Sequence, residues 1–132
     1  MTTTYVLDDL VLIAGLTPHG TEHDAREFSR LVDGASNGGP PVEVPAVCLA
    51  VAAQVRPEIL GHVAGLVAGC PPDAVTISGL RRTPRFDELE PLPLPSGWAA
   101  THAAIVALDK GRHLVTVEPE RYVGTGAVVV SL

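Results

Sequence analysis

The chain has 132 residues, 46% hydrophobic and 18% charged, with a formal net charge of -6. That size supports one core, hence a single domain over residues 1–132. The apolar fraction excludes a disordered chain, and the acid excess argues against autonomous binding to DNA or RNA phosphates. An acidic balance does suit a site that holds a cation or a surface that meets a basic partner. Aromatic residues make up only 4%, so Val, Leu, Ile and Ala must build the core.

Tyr5-Val6-Leu7 is a β-type run that ends at Asp8-Asp9, and residues 10–16 read as a short buried helix closed by Gly15, Pro18 and Gly20. Thr21 with Asp24 three residues on is a helix-capping pair. The helix it starts is expected to run to about Asp33 and stop at Gly34. Residues 35–41 read as a Gly/Pro/Ser/Asn loop, Pro45 as a first-turn proline and residues 46–55 as an apolar helix. After Pro57, Ile59, Leu60, Val63, Leu66 and Val67 form a core stripe. Gly61, Gly65 and Gly69, which recur at spacing four, predict close contact with a neighbouring helix. Residues 74–78 are a strand, whereas 81–95 carry four prolines and read as a long extended loop. Ser96 caps a helix over 97–110 that is apolar nearly all round. A strand at 114–117, a turn at 119–122 and a strand at 127–130 close the chain. Such alternation points to a parallel sheet with helices on both faces.

In an open parallel sheet, ligands gather at the carboxyl ends of the strands. Asp8 and Glu118 each follow a strand, with Asp9 and Glu120 beside them; as the next residue along a strand or helix, Asp9 is expected to point away from Asp8. Converging carboxylates are what Mg²⁺ or Mn²⁺ requires, although an acid after a strand is often a helix N-cap. His19, His23 and Asp24 have the spacing of a metal pair only if helical, and Pro18 and Gly20 place His19 in a loop. His102 lies on the buried helix and reads as a hydrogen-bonded core histidine. Arg81, Arg82 and Arg85 are the local basic cluster, a contact for nucleic acid or an acidic partner that Asp87, Glu88 and Glu90 offset. No Gly-x-Ser-x-Gly elbow occurs, and Gly124-Thr125-Gly126 lacks the third glycine of a dinucleotide loop. Cys48 and Cys70 are expected as free buried thiols in a cytoplasmic protein, with one disulfide left open. The first nine residues lack a basic leader region, and no apolar run is long enough to span a membrane.

Four segments in order resemble the PIN domain, the nuclease fold of VapC-type toxins. Tyr5-Val6-Leu7-Asp8 with its short helix resembles the opening of that fold. Val44-Pro45-Ala46-Val47-Cys48-Leu49-Ala50 is similar to the start of its third helix. Ala99-Ala100-Thr101-His102-Ala103-Ala104-Ile105-Val106-Ala107-Leu108 resembles the penultimate helix, and Leu114-Val115-Thr116-Val117-Glu118-Pro119-Glu120-Arg121-Tyr122 before Val128-Val129-Val130 resembles the C-terminal end. The resemblance implies a three-layer α/β fold with a central parallel sheet of four or five strands. It also implies a site of three or four acids around divalent cations that cleaves RNA. Asp8 matches the first acid and Glu118 stands where the last would be. The second and third acids are replaced by Val51 and Ala100, and the small hydroxyl residue two after the first acid is Leu10.

The resulting expectation is a degenerate PIN-like domain with an incomplete acidic metal site, non-catalytic or weakly active. It would act as a protein-interaction or regulatory module, as a homodimer or with an antitoxin-like partner. Two alternatives stay open: a Mg²⁺- or Mn²⁺-dependent endoribonuclease of toxin–antitoxin type acting through Asp8 and Glu118, and a small-molecule-binding α/β protein that uses the vacated groove. RNA is a partner only if the metal site functions.

Overall fold

Alternation of apolar residues on both sides of short strands places one strand, β1 (Tyr5–Leu7), at the middle of a five-stranded parallel sheet in a computed structural model that describes residues 3–79 and 97–132. β1 leads into α1 (Asp9–Leu16) and α2 (Glu22–Ser36), then β2 (Val42–Pro45), α3 (Ala46–Val55), α4 (Glu58–Gly69) and β3 (Val75–Ser78). After α5 (Gly97–Leu108) come β4 (His113–Thr116), a 3-10 turn at Pro119–Tyr122 and β5 (Val128–Ser131). The strand order is β3-β2-β1-β4-β5, every pairing parallel, with Val6 opposite Glu43 on one side and Leu114 on the other.

Period-two alternation sorts the strands between two cores. Leu7, Val42, Val44 and Val115 face Val11, Leu12, Phe28, Val32, Ile59 and Val63 of α1, α2 and α4. Val6 and Leu114 face Ala99, Ala100, Ala103, Ala104, Val106 and Ala107 of α5. Both layers of helices therefore rest on β1 and β4. This is the three-layer α/β arrangement expected, with five strands.

Several local expectations need correction. Residues 42–45 form a strand that the proline and glycine punctuation around them had hidden; Val42 and Val44 point to the first core, while Glu43 pairs with Arg112 at 3.7 Å. α2 passes through Gly34 and ends at Ser36, because burial of Ala35 outweighs the propensity penalty of one glycine, and Asn37 takes the cap by donating to the Asp33 carbonyl at 2.8 Å. Its start is as expected: Thr21 and Asp24 exchange hydrogen bonds of 3.1 Å each. Gly15 lies inside α1, where an added Cβ would stand 2.6 Å from the Cβ of Phe28, so it permits the α1–α2 approach rather than ending the helix. Most changed is α4. Ile59 and Val63 are buried, but Leu60 is 51% and Val67 39% exposed, and no atom lies within 4 Å of a Cβ built on Gly61, Gly65 or Gly69. Among the described residues the glycine stripe meets no other helix. The basic cluster Arg81, Arg82 and Arg85, the proline-rich loop 81–95 and the Ser96 cap lie outside the described residues.

Candidate functional site

The sheet itself locates the site. Successive strands run outward from β1 through β2 to β3, then the chain returns to the other side of β1 for β4 and β5. Connections leaving β1 and β4 thus part, and the crevice between their carboxyl ends is where open α/β sheets bind ligands. Asp8 stands at that point, immediately after β1, and the 3-10 turn that carries Arg121 and Tyr122 follows β4.

Asp8 is 0% exposed. Its Oδ1 accepts the Val11 backbone N–H at 2.9 Å, which caps α1. Its Oδ2 accepts the Tyr122 hydroxyl at 2.7 Å and Arg121 Nη1 at 3.4 Å, and the Thr116 hydroxyl also donates to the carboxylate. Helix cap and strand-end acid are therefore one residue serving both ends. Burial pushes the Asp8 carboxyl above its ordinary value, with the Asp9 charge adding to the rise; the Val11, Tyr122 and Thr116 donors act against it.

Asp9 was expected to point away from Asp8. Instead, it turns into the same crevice, 4% exposed. Arg121 grips it with both terminal nitrogens, Nη1 to Oδ1 at 2.7 Å and Nη2 to Oδ2 at 3.4 Å, a two-pronged guanidinium–carboxylate pair. The first turn of α1 makes this orientation favourable, since its unpaired N–H groups attract negative charge. Burial works against the Arg121 charge, but the hydrogen bond and charge of Asp9 outweigh it, and the guanidinium is held above its ordinary value. Tyr122, 2% exposed, has its phenol pushed up by burial and by the Asp8 charge beside it, so it donates and stays neutral.

Among the other expected residues, Glu118 and Glu120 are exposed. Glu118 begins the 3-10 turn, its N–H bound to Thr116 Oγ1 at 3.1 Å, and no hydrogen bond or ion pair joins its carboxylate to Asp8. Ala100 is 0% exposed within the apolar cluster that holds Cys48 and Tyr122, and Val51 packs against that same cluster. Neither supplies an oxygen. Cys48 donates to the Ala99 carbonyl at 3.0 Å, and burial beside Asp9 and Asp8 pushes its thiol well up, which makes it an inert core thiol. Both cysteines are free, Cys48 buried and Cys70 partly so. His102 is 0% exposed; its Nδ1 accepts the Val47 N–H at 3.3 Å, and burial lowers its pKa to about 4, the core histidine expected. His19 meets Arg56, His23 lies 3.3 Å from the Leu132 carbonyl, and Asp24 is held by the helix cap, so these three do not converge. Among the described residues no group of three or more His, Cys, Asp or Glu is placed to hold a metal ion.

The residues that the sequence reading left without a role are Arg121, Tyr122 and Thr116. The available signal was the run Pro119-Glu120-Arg121-Tyr122: an arginine in a short turn that follows the strand paired with the one that ends in Asp8-Asp9. A cavity of about 130 Å³ lined by Tyr5, Leu31, Val115 and Val130 lies beside β5 and includes none of Asp8, Asp9, Arg121 or Tyr122.

No family model matches the sequence, and no curated protein does. Among solved structures, the chain is similar to one in "Structure of FitAB bound to IR36 DNA fragment", with a TM-score of 0.62 and 13% identity over 97% of this chain and 94% of that one. The fold is PIN-like. At that identity the likeness carries architecture alone, so the side chains at the strand ends must carry the chemistry. Among the described residues no helix is long and apolar enough to cross a membrane.

Proposed function

We propose that this PIN-like domain is a protein-interaction module of toxin–antitoxin type that does not cleave RNA, working as a homodimer or with a small antitoxin-like partner. The observation that carries this reading is Ala100, which is fully buried in an apolar cluster where the resemblance would bring an acid. Val51 adds a second hydrophobe against that cluster and Glu118 faces solvent, so the carboxylate left beside Asp8 is Asp9, whose oxygens Arg121 already holds. Support for association comes from the outer surface. Val55, Leu60 and Val67 of α3 and α4 are exposed to 54%, 51% and 39% on a chain whose net charge would otherwise favour the monomer. Residues such as these, when grouped on one side of a soluble domain, mark contact surfaces.

The test is RNA cleavage by the purified chain in about 10 mM Mg²⁺ or Mn²⁺, well above the concentrations at which hydrated magnesium sites fill. No cleavage is expected. Metal-dependent cleavage lost in Asp8→Asn would establish the ribonuclease alternative instead. Light scattering of the native chain and of Leu60→Glu/Val67→Glu tests association: a dimer is expected for the first and a monomer for the second.

A further inference from the structure

The polar cluster at the end of β1 brings two carboxylates together, and it already holds a cation. We infer that Arg121 is the resident cation of this crevice, so that the native chain takes no divalent metal at Asp8. The inference rests on the PIN-like, non-catalytic reading and says how its site is kept quiet.

Three observations converge. First, the oxygens are engaged: Asp9 gives both of its own to the guanidinium, and Asp8 gives Oδ1 to Val11 and Oδ2 to Tyr122 and Arg121. A Mg²⁺ or Mn²⁺ ion needs close to octahedral oxygen at about 2.1 Å and would have to displace the fork. Second, the guanidinium is fixed in place. Its turn is tied by Arg121 N–H to the Glu118 carbonyl at 3.1 Å and by Thr125 Oγ1 to the Tyr122 carbonyl at 2.7 Å, while the Tyr122 ring is anchored in the α5 core. Third, the side chains of Arg121 and Asp9 are 12% and 6% exposed, so solvent screens their attraction weakly and any incoming dication would meet an unscreened positive charge. Arginine suits this role better than lysine, because a planar fork satisfies a carboxylate at two points without shedding a tight hydration shell.

Mn²⁺ titration by calorimetry, paired with thermal unfolding, tests the inference on the native chain, Arg121→Ala, Arg121→Gln and Asp8→Asn/Arg121→Ala. The native chain should show neither heat of binding nor a metal-dependent rise in melting temperature. Arg121→Ala should be less stable without metal and should recover with Mn²⁺, binding it at least about tenfold more tightly than the native chain; the double variant should lose that recovery. Arg121→Gln keeps an amide donor for Asp9 while losing the charge, and it carries the same expectation if the alanine variant does not fold. Mn²⁺ binding by the native chain that disappears in Asp8→Asn would overturn the inference, as would folded Arg121 variants that stay blind to Mn²⁺. RNA cleavage on the same samples separates the two claims. Cleavage by a native chain that binds no Mn²⁺ overturns the non-catalytic reading alone, and Mn²⁺ binding without cleavage overturns only the role of Arg121.

Discussion

The end of β1 and the outer face of α4 invert the usual distribution of polarity in opposite ways. At the strand end, two carboxylates, a guanidinium and a phenol are withdrawn from water, Asp8 to 0% and Tyr122 to 2% exposure. On α4, Leu60 and Val67 remain in water while only Ile59 and Val63 of the helix are fully covered. Burying charge costs several kcal/mol per ion unless each is paired and hydrogen-bonded, and exposing large apolar side chains forfeits about 1.5–3 kcal/mol each. The strand end recovers its cost inside the chain, through the Arg121 fork and the Tyr122 and Val11 donors. Among the described residues α4 has no such internal compensation, and the proposed association would supply it. One region is closed on itself, and the other is the surface on which the proposed association would act.

Breaking the closed region should have the largest effect. Arg121→Ala leaves two buried carboxylates without their counter-charge and is expected to lower stability by about 3–5 kcal/mol in chemical denaturation. His102, buried on α5, adds a pH signature. Its pKa falls from 6.5 to about 4 on folding, so the folded chain excludes a proton that the unfolded chain binds. Stability is therefore full above about pH 6.5 and declines as pH drops toward 4, by about 3 kcal/mol in all. The slope should flatten in His102→Gln, measured as melting temperature against pH. Tyr122→Phe removes the hydroxyl that donates to Asp8 and keeps the ring, for an expected loss of about 1.5–3 kcal/mol, since the acceptor is a carboxylate. On the open side, Leu60→Glu should change monomer stability by less than about 0.5 kcal/mol while it abolishes self-association in light scattering. A large loss there, with association intact, would show that α4 is covered within the chain and would erase the contrast.

The fold was legible because its signals are local and repeated. β1, α1, α3 and both ends of the capping box follow from short apolar runs and one Thr-x-x-Asp pair. β2 was not, since the four residues of Val42–Pro45 carry too little pattern to stand out from a loop, and only pairing with β1 and β3 reveals them. Gly61, Gly65 and Gly69 misled because periodicity shows that a face exists without showing what covers it. At the site, Asp8 was visible as an acid after a strand. Its relation to Arg121 and Tyr122 was not, because the pairing spans 113 and 114 residues and depends on β4 lying beside β1. Asp9 was misjudged for a related reason: adjacent residues at the start of a helix diverge in direction, yet one long side chain from another element can reach both.

Thermal unfolding of the native chain with and without Mn²⁺ bears most directly on the claim that an internal guanidinium occupies the cation's place. A ligand at about one hundred times its Kd stabilises a protein by about 2.7 kcal/mol, a shift of several degrees at this size. The melting temperature is predicted to be the same in both conditions; a rise of several degrees that Asp8→Asn eliminates would contradict the account.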